Sequence, residues 1–352
     1  ALRKADINCA ETLTWNSETG FSPIGTSASR FRGSFNGNNN TINNLYFYRP
    51  SVGINEATGL FGFTIDANIN NVILTDANII GNRYVGGLIG DNIRGNITNN
   101  QINGNLTGDL YVGGLIGDDS NGIITNNQIN GNITGTYDSG GLVGRTYYAT
   151  ITNNYATGTM NGTDNIGGLV GKTYYATIIS NKTSENVTGI NNSIGGLVGW
   201  NYRGSIINNY TTGIVNAGQN FIGGIVGYTT ISTIKNNYTT GTINGFWHNG
   251  GIIGQGVGVT LVANNFSVAS INGTNFNGGL SGYYTGSSIT NNYWDINLTG
   301  RSNCYNGSND GCTSTDNNAI AYYGTTGIPF NILYFDNNWV AQDNNYPKLV
   351  WE

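Results

Sequence analysis

A five-residue segment, GGLIG at 86–90, returns with small changes from Gly113, Gly140, Gly167, Gly195, Gly223, Gly250 and Gly278, at intervals of 27 or 28 residues. GLFG at 59–62 reads as a partial earlier copy. A fixed period of this size marks stacked repeats, in which each unit buries its apolar side against its neighbours. Such a chain lengthens by adding coils to one core, so 352 residues need not mean several domains.

The copies align column by column. One column runs Ile97, Ile124, Ile151, Ile178, Ile206, Ile234, Val262, Ile289, and a second runs Leu106, Ile133, Met160, Val187, Val215, Ile243, Ile271, Leu298. The third follows the glycines: Leu88, Leu115, Leu142, Leu169, Leu197, Ile225, Ile252, Leu280. No segment has a helical period, and β-branched residues dominate, so each repeat supplies three short strands. Stacked at about 4.8 Å, like residues lie above one another and the strands pair from coil to coil. The expected fold is all-β: a parallel β-helix of about nine to ten coils, with GGLIG forming one wall of each. Repeats occupy 59–299; residues 1–58 and 300–352 break the period and read as caps.

Glycine pairs let the backbone bend or approach closely where a Cβ would clash. Asn pairs such as Asn99-Asn100, Asn126-Asn127 and Asn236-Asn237 suit left-handed turns and, in register, amide ladders. The aromatic column Tyr155, Tyr210, Tyr238, Phe266, Tyr293 follows these pairs and reads as structural stacking.

Charged residues are only 9% and the net charge is −5, with no basic run, which argues against nucleic acid as a partner. No apolar stretch is long enough to span a membrane. The chain opens on Ala1 with no signal peptide, so either a leader has been removed or the chain begins inside a longer protein. Cys304 and Cys312 flank CYNGSNDGC, a short loop that a disulfide would close in an oxidising compartment; two unrelated thiols are the other reading. Cys9 is then left over.

The G-G-[LI]-[VI]-G repeat, the x-I-x-N-N-Y segment, the lead-in FRGSFNGNNNTINNL and the closing NNYWD and NYPKLVW resemble the GLUG-repeat proteins over nearly the whole chain. The resemblance implies a secreted or surface-anchored β-solenoid, commonly part of an adhesin-like protein, and no catalytic unit. Modules of that family often carry a further segment ahead of the one ALRKADINC matches. Upstream residues are then processed off, absent from this chain, or replaced by a neighbour's strand, which would favour fibres.

Candidate chemistry is sparse. The single histidine, His248, reads as an exposed turn residue and leaves zinc-protease and Ser-His-Asp chemistry without their ligands or base. Glycosidases need two facing acids, and the acids here are few. Asp91, Asp118 and Asp119 follow GGLIG in adjacent coils and are weak candidates for a cation edge, against solvated turns relieved by Arg145 and Lys172. No cofactor is expected.

Two features remain. Tyr147, Tyr148, Tyr174, Tyr175, Trp200, Tyr202, Tyr228, Tyr283 and Tyr284 follow the glycine segments, and Tyr84, Tyr111, Phe221, Trp247 and Phe276 precede them. These are candidate contacts for a glycan or a cell-surface partner, or aromatic shielding of the corners. Sequons stand at Asn39, Asn96, Asn105, Asn132, Asn161, Asn181, Asn186, Asn191, Asn209, Asn237, Asn265, Asn272, Asn297 and Asn306, from composition alone or as N-glycosylation sites. The reading is a non-catalytic extracellular structural or adhesive solenoid, able to self-associate into a fibre or sheath; the alternative is a carbohydrate-binding or carbohydrate-active β-helix.

Overall fold

The computed structural model describes residues 5–51, 53, 56–315, 338–340 and 347–352. The chain winds into a parallel β-solenoid of about nine turns. In one coil the strand Gln128–Gly140 forms a long bent wall, Val143–Tyr147 a second face and Thr150–Thr152 a third. Each pairs in parallel with its counterpart one coil away: Ile133 with Met160, Val143 with Val170, Ile151 with Ile178. Among the described residues the third face stacks ten strands and the second nine.

The three aliphatic columns fill the interior. Leu88 through Leu280, and Ile97 through Val262, are fully buried. The column from Leu106 stays inside as far as Ile271 and then stops. Leu298 does not extend it, because Asp295 accepts the backbone N–H groups of Asn297 and Leu298 and caps a short helix, Ile296–Thr299.

GGLIG is a corner, not a wall. The long strand ends on Gly113, Gly114 and Leu115 turn, and Ile116 opens the second face. A Cβ on Gly113 would run into the Ile116 carbonyl oxygen, and one on Gly114 into that of Gly141, so the turn admits only glycine.

Left-handed residues mark the bends. The first Asn of the pairs, from Asn99 to Asn291, has φ between 52° and 58°, a conformation asparagine tolerates. Two residues before each glycine pair stands another: Tyr84, Tyr111, Asp138, Asn165, Ser193, Phe221, His248 and Phe276, at φ between 47° and 64°. Bulky side chains there hold strained backbone.

The second Asn of each pair turns inward. Asn100, Asn127, Asn154, Asn181, Asn209, Asn237, Asn265 and Asn292 form one hydrogen-bonded ladder, each Nδ2 donating to the next Oδ1 at 2.9–3.1 Å. Asn181 follows Ser180, so its rung is invisible to a search for Asn pairs.

At the far end, Cys304 and Cys312 form a disulfide, and the Cys304 carbonyl accepts the N–H groups of Leu280 and Ser281. The loop thus covers the last coil. The described part of the tail lies elsewhere. Trp339–Val340 pairs antiparallel with Lys348–Leu349, and Trp339 and Leu349 pack on the side of the rod over Tyr238, Phe266 and Tyr293. The aromatic column there is stacked, at 5.0 Å for Tyr210–Tyr238 and 5.5 Å for Tyr238–Phe266. Residues 316–337 and 341–346 of the C-terminal cap lie outside the described residues.

Candidate functional site on the aromatic face

On the second face, alternation points two columns outward and one inward. The outward columns run Asp91, Asp118, Arg145, Lys172, Trp200, Tyr228, Gln255, Tyr283 and Ser120, Tyr147, Tyr174, Tyr202, Thr230, in register from coil to coil. Between them Asn92, Asp119, Thr146, Thr173, Asn201, Thr229, Gly256 and Tyr284 face the core.

That alternation separates the three acids. Asp91 and Asp118 are neighbours outside, but each is paired: Arg30 donates to Asp91 at 2.6 Å, and Arg145 donates twice to Asp118 at 2.9 and 2.8 Å. Asp119 points inward and accepts from Asn92 Nδ2, Thr146 Oγ1 and the Gly122 N–H. Burial pushes its carboxyl up to about 7, against the pull of those donors. The three do not converge on one edge. Among the described residues no three acids, histidines or cysteines gather as a metal-ion site.

His248 is not an exposed turn either. It is half-buried among Phe221, stacked at 5.5 Å, Trp247, Phe276 and Tyr283, and burial lowers its pKa. It serves as one more ring of the aromatic surface.

The outward aromatics form a continuous band. Tyr147 stacks on Tyr174 at 4.6 Å and Tyr148 on Tyr175 at 4.8 Å. Trp200 lies parallel to Tyr202 and to Tyr228, within 11° and 12°. Phe221 joins Tyr228 to His248, and the band ends on Trp247 and Phe276, both exposed, with Tyr283 half-buried beside His248. Tyr284 is the exception. It turns into the core and donates its hydroxyl to the Ser288 carbonyl, so it is not a surface contact.

In the middle of the band is an open groove of about 570 Å³, bounded by Tyr174, Trp200, Tyr202, Phe221 and Tyr228. Ser193, Thr230 and Gln255 complete its lining. These polar residues escape a search for aromatics. Their signal is positional, since Thr230 and Gln255 sit in register with Tyr202 and Tyr228.

The sequons divide by face. Asn181, Asn209, Asn237 and Asn265 are rungs of the buried ladder, with Nδ2 already donated, and are not modification sites in the folded chain. Asn96, Asn105, Asn132, Asn161, Asn186, Asn272 and Asn297 are exposed. Asn132 donates to Asn105 at 3.0 Å, too close for both to carry glycans.

Fold and surface together define the class: a parallel β-solenoid that displays an aromatic, mostly uncharged side. No family model matches the chain, and no solved structure does. Part of the chain is similar to halomucin of Haloquadratum walsbyi, with 32% identity over 110 residues, which is 30% of this chain and 1% of that protein. The chain therefore spans a very small part of the relative it matches.

Proposed function

We propose that this chain is a non-catalytic structural and adhesive solenoid of the cell exterior, of the GLUG-repeat kind its motifs resemble. The observation that carries the reading is the aromatic band, which crosses successive coils on one side of a rod whose interior is filled mainly by an amide ladder and aliphatic columns. A rigid rod with exposed parallel rings suits repeated contact with a partner surface. Asp119 at its centre is held by Asn92, and Asp91 and Asp118 outside are each paired with an arginine, which supports binding without turnover. The likeness to a protein named as a mucin supports an extracellular setting. Exposed sequons on the flat faces agree with glycosylation there. The same reading includes self-association of such rods into a fibre or sheath.

A glycan array combined with a polysaccharide-cleavage assay tests this. Binding without cleavage is expected, and measurable turnover overturns the reading in favour of a carbohydrate-active enzyme. Negative-stain microscopy of concentrated protein tests the fibre; particles that remain single rods sink that part.

A further inference from the structure

Beside the groove the cations of the outward column lose their carboxylate partners. Along the outward column the cations begin as ion pairs, Arg30 with Asp91 and Arg145 with Asp118. One coil further the pattern breaks. Lys172 sits over Trp200, 4.7 Å from its ring, and Arg203 lies 5.3 Å from the Tyr202 ring. Among the described residues neither has a carboxylate within ion-pair distance. Asp138 feels the charge of Lys172, but it is buried and accepts from Asn165 Nδ2 at 2.7 Å. The two cations thus flank the ring platform without forming an ion pair among the described residues.

The groove exists because Ser193 is small. It occupies the left-handed position that Phe221 and His248 fill in the next coils, and it leaves open space beside Trp200. Gln255 on the wall has a buried carbonyl oxygen that makes no hydrogen bond among the described residues.

We infer that this groove binds an acidic polysaccharide: a pyranose ring lies against Trp200 and Tyr228, and uronate carboxylates reach Lys172 and Arg203. The C–H face of a sugar complements parallel aromatic rings, and an open groove on a rod admits a polymer from either end. An acidic peptide would satisfy the cations but leave the ring platform unused. The inference rests on the adhesive reading and gives it a ligand class.

Binding of the full chain to polygalacturonate, neutral galactan and polyglutamate, measured by biolayer interferometry at two salt concentrations, tests it. Polygalacturonate is expected to bind best and to weaken with salt. Lys172→Gln combined with Arg203→Gln should lower that affinity about fivefold, and Trp200→Ala about tenfold, with circular dichroism and melting temperature reporting that each variant is folded. Equal binding of galactan, unmoved by the double substitution, overturns the acidic ligand while leaving the adhesive reading intact. Polyglutamate binding that ignores Trp200→Ala overturns the sugar. Binding to none of the three overturns the inference and removes polysaccharide adhesion from the proposed function, which then stands on fibre assembly alone.

Discussion

The carboxamide of Asn154 donates to Asn181 Oδ1 at 3.0 Å, and the backbone N–H of Asn154 reaches the same oxygen at 2.9 Å. A third and fourth bond run from Asn154 Nδ2 to the carbonyls of Ile124 and Thr152. One side chain thereby ties three coils together and satisfies the backbone at a left-handed bend.

Asn154→Ala should therefore be among the most damaging single changes in the rod. It strands the Asn127 N–H in a dry interior, takes one of three acceptors from the Asn127 carboxamide and removes a donor from the Ile124 and Thr152 carbonyls. A loss of about 3 kcal/mol is expected from that many orphaned groups, read as a lower urea midpoint. An exposed counterpart, Asn161→Ala, should change stability by less than about 0.5 kcal/mol. Equal effects of the two would mean that the ladder does not hold the coils.

The same geometry decides which sequons carry sugar. Oligosaccharide transfer that reaches Asn209 or Asn237 blocks the Nδ2 each must donate, and that chain cannot close its coil. Material secreted in folded form from a eukaryotic host should thus carry glycans at sites such as Asn161, Asn186 and Asn272 and none at Asn181, Asn209, Asn237 or Asn265. Glycopeptide mapping by mass spectrometry gives the answer. A glycan on any of the four buried positions in folded protein contradicts the ladder.

The Cys304–Cys312 bond closes a loop whose carbonyl completes the ladder for Leu280 and Ser281. Closure of a loop this short is worth about 2–3 kcal/mol through the unfolded chain. Reduction should lower the melting temperature and, before that, speed amide exchange at Leu280 and Ser281 while leaving Leu142 and Leu169 protected. Uniform loss of protection along the rod would show that the loop is not a local cap.

Much of this was legible in the sequence, for a physical reason. A solenoid repeats its environment, so the aliphatic columns and the Asn pairs report the interior directly. What could not be read was direction at the ends of short segments. Tyr283 and Tyr284 are adjacent and alike, and only strand alternation sends the second inward. GGLIG reads equally well as wall or corner until the clash at Gly113 is seen. Leu298 continues the spacing, yet the Asp295 cap outcompetes the strand. Glu185 was missed although it had a signal: it stands where other coils have Gly104, Gly131, Gly158, Gly213 and Gly241.

That glutamate and Asp119 set the response of the rod to pH. Glu185 is fully buried, and neither carboxyl oxygen has a hydrogen-bond partner among the described residues. Burial raises its pKa well above the ordinary carboxylate value, and burial raises Asp119 from 3.8 to about 7. Folded pKa values above unfolded ones mean that the folded state holds protons the unfolded chain has released. The stability these groups allow is fully present below pH about 4 and is lost as pH climbs through the folded values. For Asp119 the loss approaches about 4 kcal/mol by pH 7, its three donors already counted in the folded value. Asp119→Asn should flatten that slope, since a flip of Asn92 lets the new amide donate to it. Glu185→Met keeps the volume and removes the charge, so it should raise the urea midpoint at pH 8.5 more than at pH 4. Midpoints measured across that range decide the matter. A wild-type curve that rises toward alkaline pH, or variants whose slopes match the wild type, would show that these carboxylates are solvated in the folded rod.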